Sequence, residues 1–150
     1  MKKSSSQLSA LTRFPGPNDL PRPFILLQHT LLSGQCHFDL LLETAGGTNP
    51  NARTLKGLQC IQKPLSEDNE IIWTTHGVHR RKWLILSNNG YKNSQGTFSS
   101  VDQGTFIIFK IDGFLCIRIQ GSWLRGDYLM EVKRAGVHRW RKRIIKIHPA

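Results

Sequence analysis

The sequence predicts an all-β fold: a small barrel, closed or partly open, of short antiparallel strands with only minor helix. Three observations predict it. Short apolar runs rich in β-forming residues recur along the chain, separated by turn residues. No segment keeps a helical period over roughly three turns, and no repeat of about 20 to 50 residues is present. Asp112-Gly113 lies between two such runs, which is a strong two-residue hairpin signal.

Taken in order, residues 1–22 are rich in Ser, Lys and Pro ("RFPGPNDLPRP") and read as a flexible arm. Residues 23–150 then read as one β-barrel domain, a size that buries a real core. Its expected strands begin with "PFILLQ", "HFDLLLE", "TLKGLQCI", "EIIWTT" and "KWLILS". "GTFIIFKI" and "FLCIRIQ" flank Asp112-Gly113, and Gly121 and Gly126 bracket a second reversal, "GSWLRG", ahead of "DYLMEVK". "RIIKIH" comes last. The Gly/Asn/Ser-rich stretches Thr44 to Arg53 and Asn88 to Gln95 are expected loops that flank a site or hang free.

Charge narrows the partners. Lys and Arg number 21 against 10 Asp and Glu, a net charge of +11, which attracts polyanions such as nucleic acid. No basic amphipathic helix favours a membrane surface, and no apolar run reaches bilayer length. Cys36, Cys60 and Cys116 are odd in number and form no CxxC pair, which points to a reducing compartment. Lys2 and Lys3 are not followed by an apolar leader core, so a cytoplasmic location is expected. Cys60 and Cys116 sit in apolar runs as small core residues. The C-terminal "KRAGVHRWRKRIIKIH" interleaves cations with Trp140, and two readings stand: a phosphate-tracking surface through Arg139 and Arg141, or a solvated edge strand. His138 and His148 read as surface residues of this tail.

"FILLQHTLLSGQCHFDLLLE" holds the chemistry. On a strand, Phe38, Leu40 and Leu42 share one face, and His37, Asp39, Leu41 and Glu43 the other. His29 ends the preceding strand, and "TLLSGQC" returns the chain beside it. Two imidazoles and a carboxylate meeting at one point make a facial set of metal ligands with open positions. The same spacing also suits a surface ion pair beside a histidine bonded to backbone. His76 and His79 stand in a basic stretch next to Arg80, Arg81 and Lys82, where an imidazole either faces phosphate or simply occupies a turn.

In their order these segments resemble the 3′-phosphoesterase domain of bacterial DNA ligase D, and most closely its short stand-alone relatives. That family has a strand ending in His, then an H-aromatic-D-apolar-x-apolar-E strand, here "FILLQH" and "HFDLLLE". A third His stands four residues before an aromatic, here His79 and Trp83. "GTFSSVDQGTF" and "IQGSWLRGDYLM" match two later segments, with Val101 in a tryptophan place. The resemblance spans nearly all of the chain from Phe24 onward. It implies a small barrel binding one divalent metal, typically Mn2+, and trimming damaged or ribonucleotide-bearing 3′ ends of DNA on primer–templates. It makes His29, His37 and Asp39 the metal ligands, and His79 the residue on the scissile phosphate. The family's fused architecture implies a separate ligase or polymerase as a partner.

Several positions depart from the family pattern. His29 and His37 are eight residues apart where the family has six, Leu41 stands for a phosphate-binding arginine, and Trp83 for a tyrosine. The acidic residue before the third histidine is missing from "THGVH". Arg80, Arg81, Arg139 and Arg141 are candidate replacements for the phosphate grip. The rival expectation is a nucleic-acid-binding barrel that has kept the fold without the chemistry.

Overall fold

A computed structural model describes residues 17, 20–65, 67–86 and 90–143. The predicted arm therefore lies almost entirely outside the described residues. So does "RIIKIH" apart from Arg143, and with it His148.

The strands are β1 (Arg22–Thr30), β2 (Cys36–Glu43), β3 (Arg53–Cys60), β4 (Glu70–Arg80), β5 (Tyr91–Asn93), β6 (Gly96–Ile111), β7 (Phe114–Gly121), β8 (Arg125–Arg134) and β9 (Val137–Lys142), with one helical turn, α1 (Trp83–Leu86). The sheet order is β1-β2-β3-β4-β9-β8-β7-β6-β5, and β1 also pairs with β6. Eight antiparallel strands thus close into a barrel, and β5 adds a short ninth on β6. Closure leaves no free edge along β1, because both its sides are hydrogen-bonded.

The turns obey local chemistry. Asp112 (φ 49°) and Gly113 (φ 81°) both take the left-handed region between Ile111 and Phe114, the geometry of a two-residue hairpin that follows strand twist. In the reversal at residues 121–124, the Gly121 N–H donates to the Leu124 carbonyl (2.9 Å). Asp102, buried on β6, ties this turn down: its carboxylate accepts from the backbone N–H groups of Ser122, Trp123 and Leu124 at 2.9, 2.9 and 2.6 Å. Its own neighbour Gln103 donates a fourth bond at 2.9 Å.

Alternation sorts side chains onto two faces. The barrel interior holds Phe24, Leu26, Phe38, Leu40, Leu42, Trp73, Phe106, Tyr128 and Trp140, drawn from strands all round the barrel. The opposite face of β1, β2 and β3 carries a smaller apolar group, Ile25, Leu27, Leu41 and Leu55, covered by Trp83 and Leu84 of the α1 turn. From Phe38 to Glu43, β2 is consequently buried on both sides.

Some expectations are corrected. "KWLILS" is not a strand. Trp83 and Leu84 cap the outer apolar group, and among the described residues the run has no strand partner, so its N–H groups pair locally, Leu84 with the Arg81 carbonyl and Ile85 with Lys82. "EIIWTT" extends through His76 to Arg80, so both histidines lie on β4 rather than in a turn. β6 starts at Gly96, well before "GTFIIFKI", and β5 interrupts the expected loop Asn88 to Gln95. β9 is no edge strand, since β4 and β8 flank it. His138 is not on the surface: it shares the inward face of β9 with Trp140 and is 2% exposed.

Burial lowers the pKa of His138. The unfolded chain protonates this imidazole near pH 6.5, the folded chain only at lower pH, so stability falls as pH drops below about 6.5. The midpoint of urea unfolding is expected to fall between about pH 7 and 5, and less steeply in His138→Gln. Equal slopes in the two proteins would count against this assignment.

Candidate metal centre

His29, His37 and Asp39 are brought together by the β1–β2 hairpin. His29 and His37 are direct cross-strand partners, and the residues between the strands, Leu31 to Gln35, form the turn. The eight-residue spacing therefore lengthens the turn by an even number of residues, which leaves both histidines on the same face. Asp39 follows His37 at i+2 on that face. One ligand atom from each of the three lies within 4.8 Å of the others.

A backbone carbonyl sets the tautomer of His29. His29 Nε2–H donates to the Gln95 carbonyl (2.9 Å), which leaves the Nδ1 lone pair facing His37 Nε2 at 3.0 Å. The His29 ring also stacks on Phe98, with centroids 4.0 Å apart and planes 18° apart. Gln59 on β3 lies 2.7 Å from His37 Nδ1, and its amide offers that nitrogen either a donor or an acceptor. With the acceptor turned to Nδ1–H, His37 Nε2 is free as a ligand, the usual arrangement of a metal-binding histidine.

Asp39 is the telling residue. It is 3% exposed, its Oδ2 is 3.7 Å from His37 Nε2, and its buried Oδ1 has no hydrogen-bond partner among the described residues. Burial raises its carboxyl pKa, against the pull of the neighbouring histidines. Burial likewise lowers His37, against the pull of Asp39. An orphaned buried carboxylate oxygen costs about 1–3 kcal/mol. Beside two imidazole nitrogens, this carboxylate fits a divalent cation.

The cluster opens into a cavity of ≈130 Å³ lined by Leu27, Leu41, His76, His79, Trp83 and Phe98 besides the three polar residues and Gln95. His79 lines the same pocket. Its Nε2–H donates to the His76 carbonyl (2.8 Å), and burial lowers its pKa. Gly57 makes room for it: a Cβ there would lie 2.9 Å from His79 Nε2 and 2.7 Å from the His76 carbonyl.

The four candidate arginines do not converge here. Arg81 is held by Glu43 (3.0 Å), with further bonds to the Asn49 and Gly46 carbonyls, and staples the segment leading into α1. Arg139 and Arg141 both pair with Glu131, at 2.7 and 3.0 Å. Arg80 is exposed, and its side chain has no partner among the described residues. Sequence reasoning missed Gln59, Gln95 and Phe98 as supports of the histidines. Only the alternation of β3, which places Gln59 on the face of Gly57, hinted at any of them.

Fold and site together define an eight-stranded antiparallel barrel carrying a His/His/Asp cluster in a pocket on its outer wall. The chain matches no family model, and no curated protein matches it.

Proposed function

We propose that this protein is a divalent-metal-dependent phosphoesterase that processes 3′ ends of nucleic acid, removing 3′-terminal ribonucleotides or 3′-phosphates from DNA. One observation carries the reading: the three polar residues singled out by the resemblance, His29, His37 and Asp39, share one pocket with His79, and Asp39 has an orphaned oxygen there. The net charge of +11 suits a nucleic-acid substrate.

His29, His37 and Asp39 would hold the cation, with Mn2+ as the expected metal. Bound there, a divalent cation supplies Lewis-acid polarisation of a phosphoryl oxygen and lowers the pKa of water. The chain does the rest. Gln95 and Gln59 orient the two imidazoles, while Leu27, Leu41 and Phe98 exclude bulk water. With Nε2–H committed to the His76 carbonyl, His79 donates to a leaving oxygen or a developing negative charge only once Nδ1 is protonated too, a state that burial opposes and an anionic phosphate beside it would favour. A ligase or polymerase would act next on the trimmed end.

Cleavage of a labelled primer–template tests this, using one substrate with a 3′-terminal ribonucleotide and one with a 3′-phosphate, with Mn2+. Product is expected to require the metal, and His37→Ala to reduce the rate by at least about 100-fold. Full metal-dependent activity in His37→Ala would sink the mechanism. Leu41 favours a second reading, since it lines the pocket where the resembling family has an arginine. In that reading the barrel binds nucleic acid without turnover, and the assay gives no product beside steeply salt-dependent binding.

A further inference from the structure

His76 and His79 are three residues apart on β4, and in a regular strand they would point to opposite faces. Both nevertheless line the pocket. The register explains how. Lys56 pairs with Val78 and Leu58 with Thr75, so Gly57 alone stands opposite His76 and Gly77, which is a β-bulge. Gly77 takes φ 70°, and a Cβ there would meet nothing within 4 Å. Glycine is thus needed for its backbone angle and not for space. The inserted residue lets His76 and His79 face the cluster together.

His76 is differently placed from its neighbours. His29 and His79 each commit a ring nitrogen to a backbone carbonyl, and His37 has Gln59. The His76 ring makes no hydrogen bond among the described residues. It meets the His37 ring edge-on, with centroids 6.0 Å apart, and lines the same pocket. Across the pocket, Leu27, Leu41 and Phe98 have no side-chain donor to offer an anion.

We propose that His76 is the residue that receives the substrate's phosphoryl oxygen, its N–H donating from the bulged strand in place of the donor that Leu41 does not supply. A neutral imidazole already carries one N–H, so the role needs no change of protonation. The proposal rests on the phosphoesterase reading and adds a substrate-positioning residue to it.

The test uses the full chain loaded with Mn2+ and inorganic phosphate as the probe. Electron paramagnetic resonance measures Mn2+ binding, and 31P NMR relaxation measures phosphate held beside the ion. His76→Ala is expected to bind Mn2+ as the wild type does but phosphate about tenfold more weakly, and His76→Asn, which keeps an N–H, to recover part of that loss. Unchanged phosphate affinity in His76→Ala overturns the proposal alone. Loss of Mn2+ affinity in that variant overturns it by making His76 a metal ligand. Failure of the wild type to bind Mn2+ overturns the phosphoesterase reading and this proposal with it.

Discussion

Asp39→Asn is expected to make the metal-free protein more stable at pH 7 by about 1–2 kcal/mol, and at the same time to abolish stabilisation by metal. The carboxylate is buried, one of its oxygens has no partner, and burial has raised its pKa. The sign follows from linkage. The unfolded chain loses the Asp39 proton near pH 4, the folded chain only at higher pH, so stability falls as pH rises through the folded value. A neutral asparagine lacks this fall, and its N–H can face His37 Nε2. Mn2+ at about 100 times its dissociation constant should stabilise the wild type by roughly 2.7 kcal/mol and Asp39→Asn not at all. Urea unfolding of both proteins with and without Mn2+ measures this. If the metal-free variant is the less stable, or if Mn2+ shifts both proteins equally, Asp39 is a structural residue and no ligand.

The second large effect concerns stability alone. Asp102→Ala is expected to cost about 3–5 kcal/mol, a large part of the roughly 5–15 kcal/mol that holds a domain of this size. Four backbone N–H groups donate to this one carboxylate, and the Leu124 bond is buried. Alanine leaves those donors without a partner, and the turn between β7 and β8 loses what holds it to β6. The packing is as close as the bonding: a Cβ on Gly121 would run into the Asp102 carboxylate and lie 2.8 Å from the Phe24 ring. Asp102→Asn, which keeps one acceptor, should lose less. A urea midpoint for Asp102→Ala within error of the wild type would show that the turn stands without the carboxylate.

Much of this architecture is legible residue by residue. Period-2 alternation puts Phe38, Leu40 and Leu42 inside the barrel, and His37, Asp39 and Leu41 on its other face, as the structure has them. Asp112-Gly113 makes its hairpin because few other pairs tolerate two successive positive φ angles. "KWLILS" reads wrongly because a short apolar run carries no period that separates a strand from one helical turn. The early part of β6 is hidden by Gly, Ser, Asp and Gln, residues that look like a loop yet serve in the strand next to β1.

Local pattern, then, determined by itself which residues of β2 face together, that Asp112-Gly113 makes a tight turn, and that His37 and Asp39 share one surface, while His29 joins them through the β1–β2 register. Only the tertiary structure decided that β1 closes onto β6, that the outer wall is roofed by Trp83 to make a pocket, and that Arg81, Arg139 and Arg141 are drawn into ion pairs with Glu43 and Glu131. It also decided the place of His76. Alternation is a property of one strand and is written in its residues. Closure, ion-pair choice and a bulge depend on which strand lies alongside and in what register, and that is settled by long-range pairing.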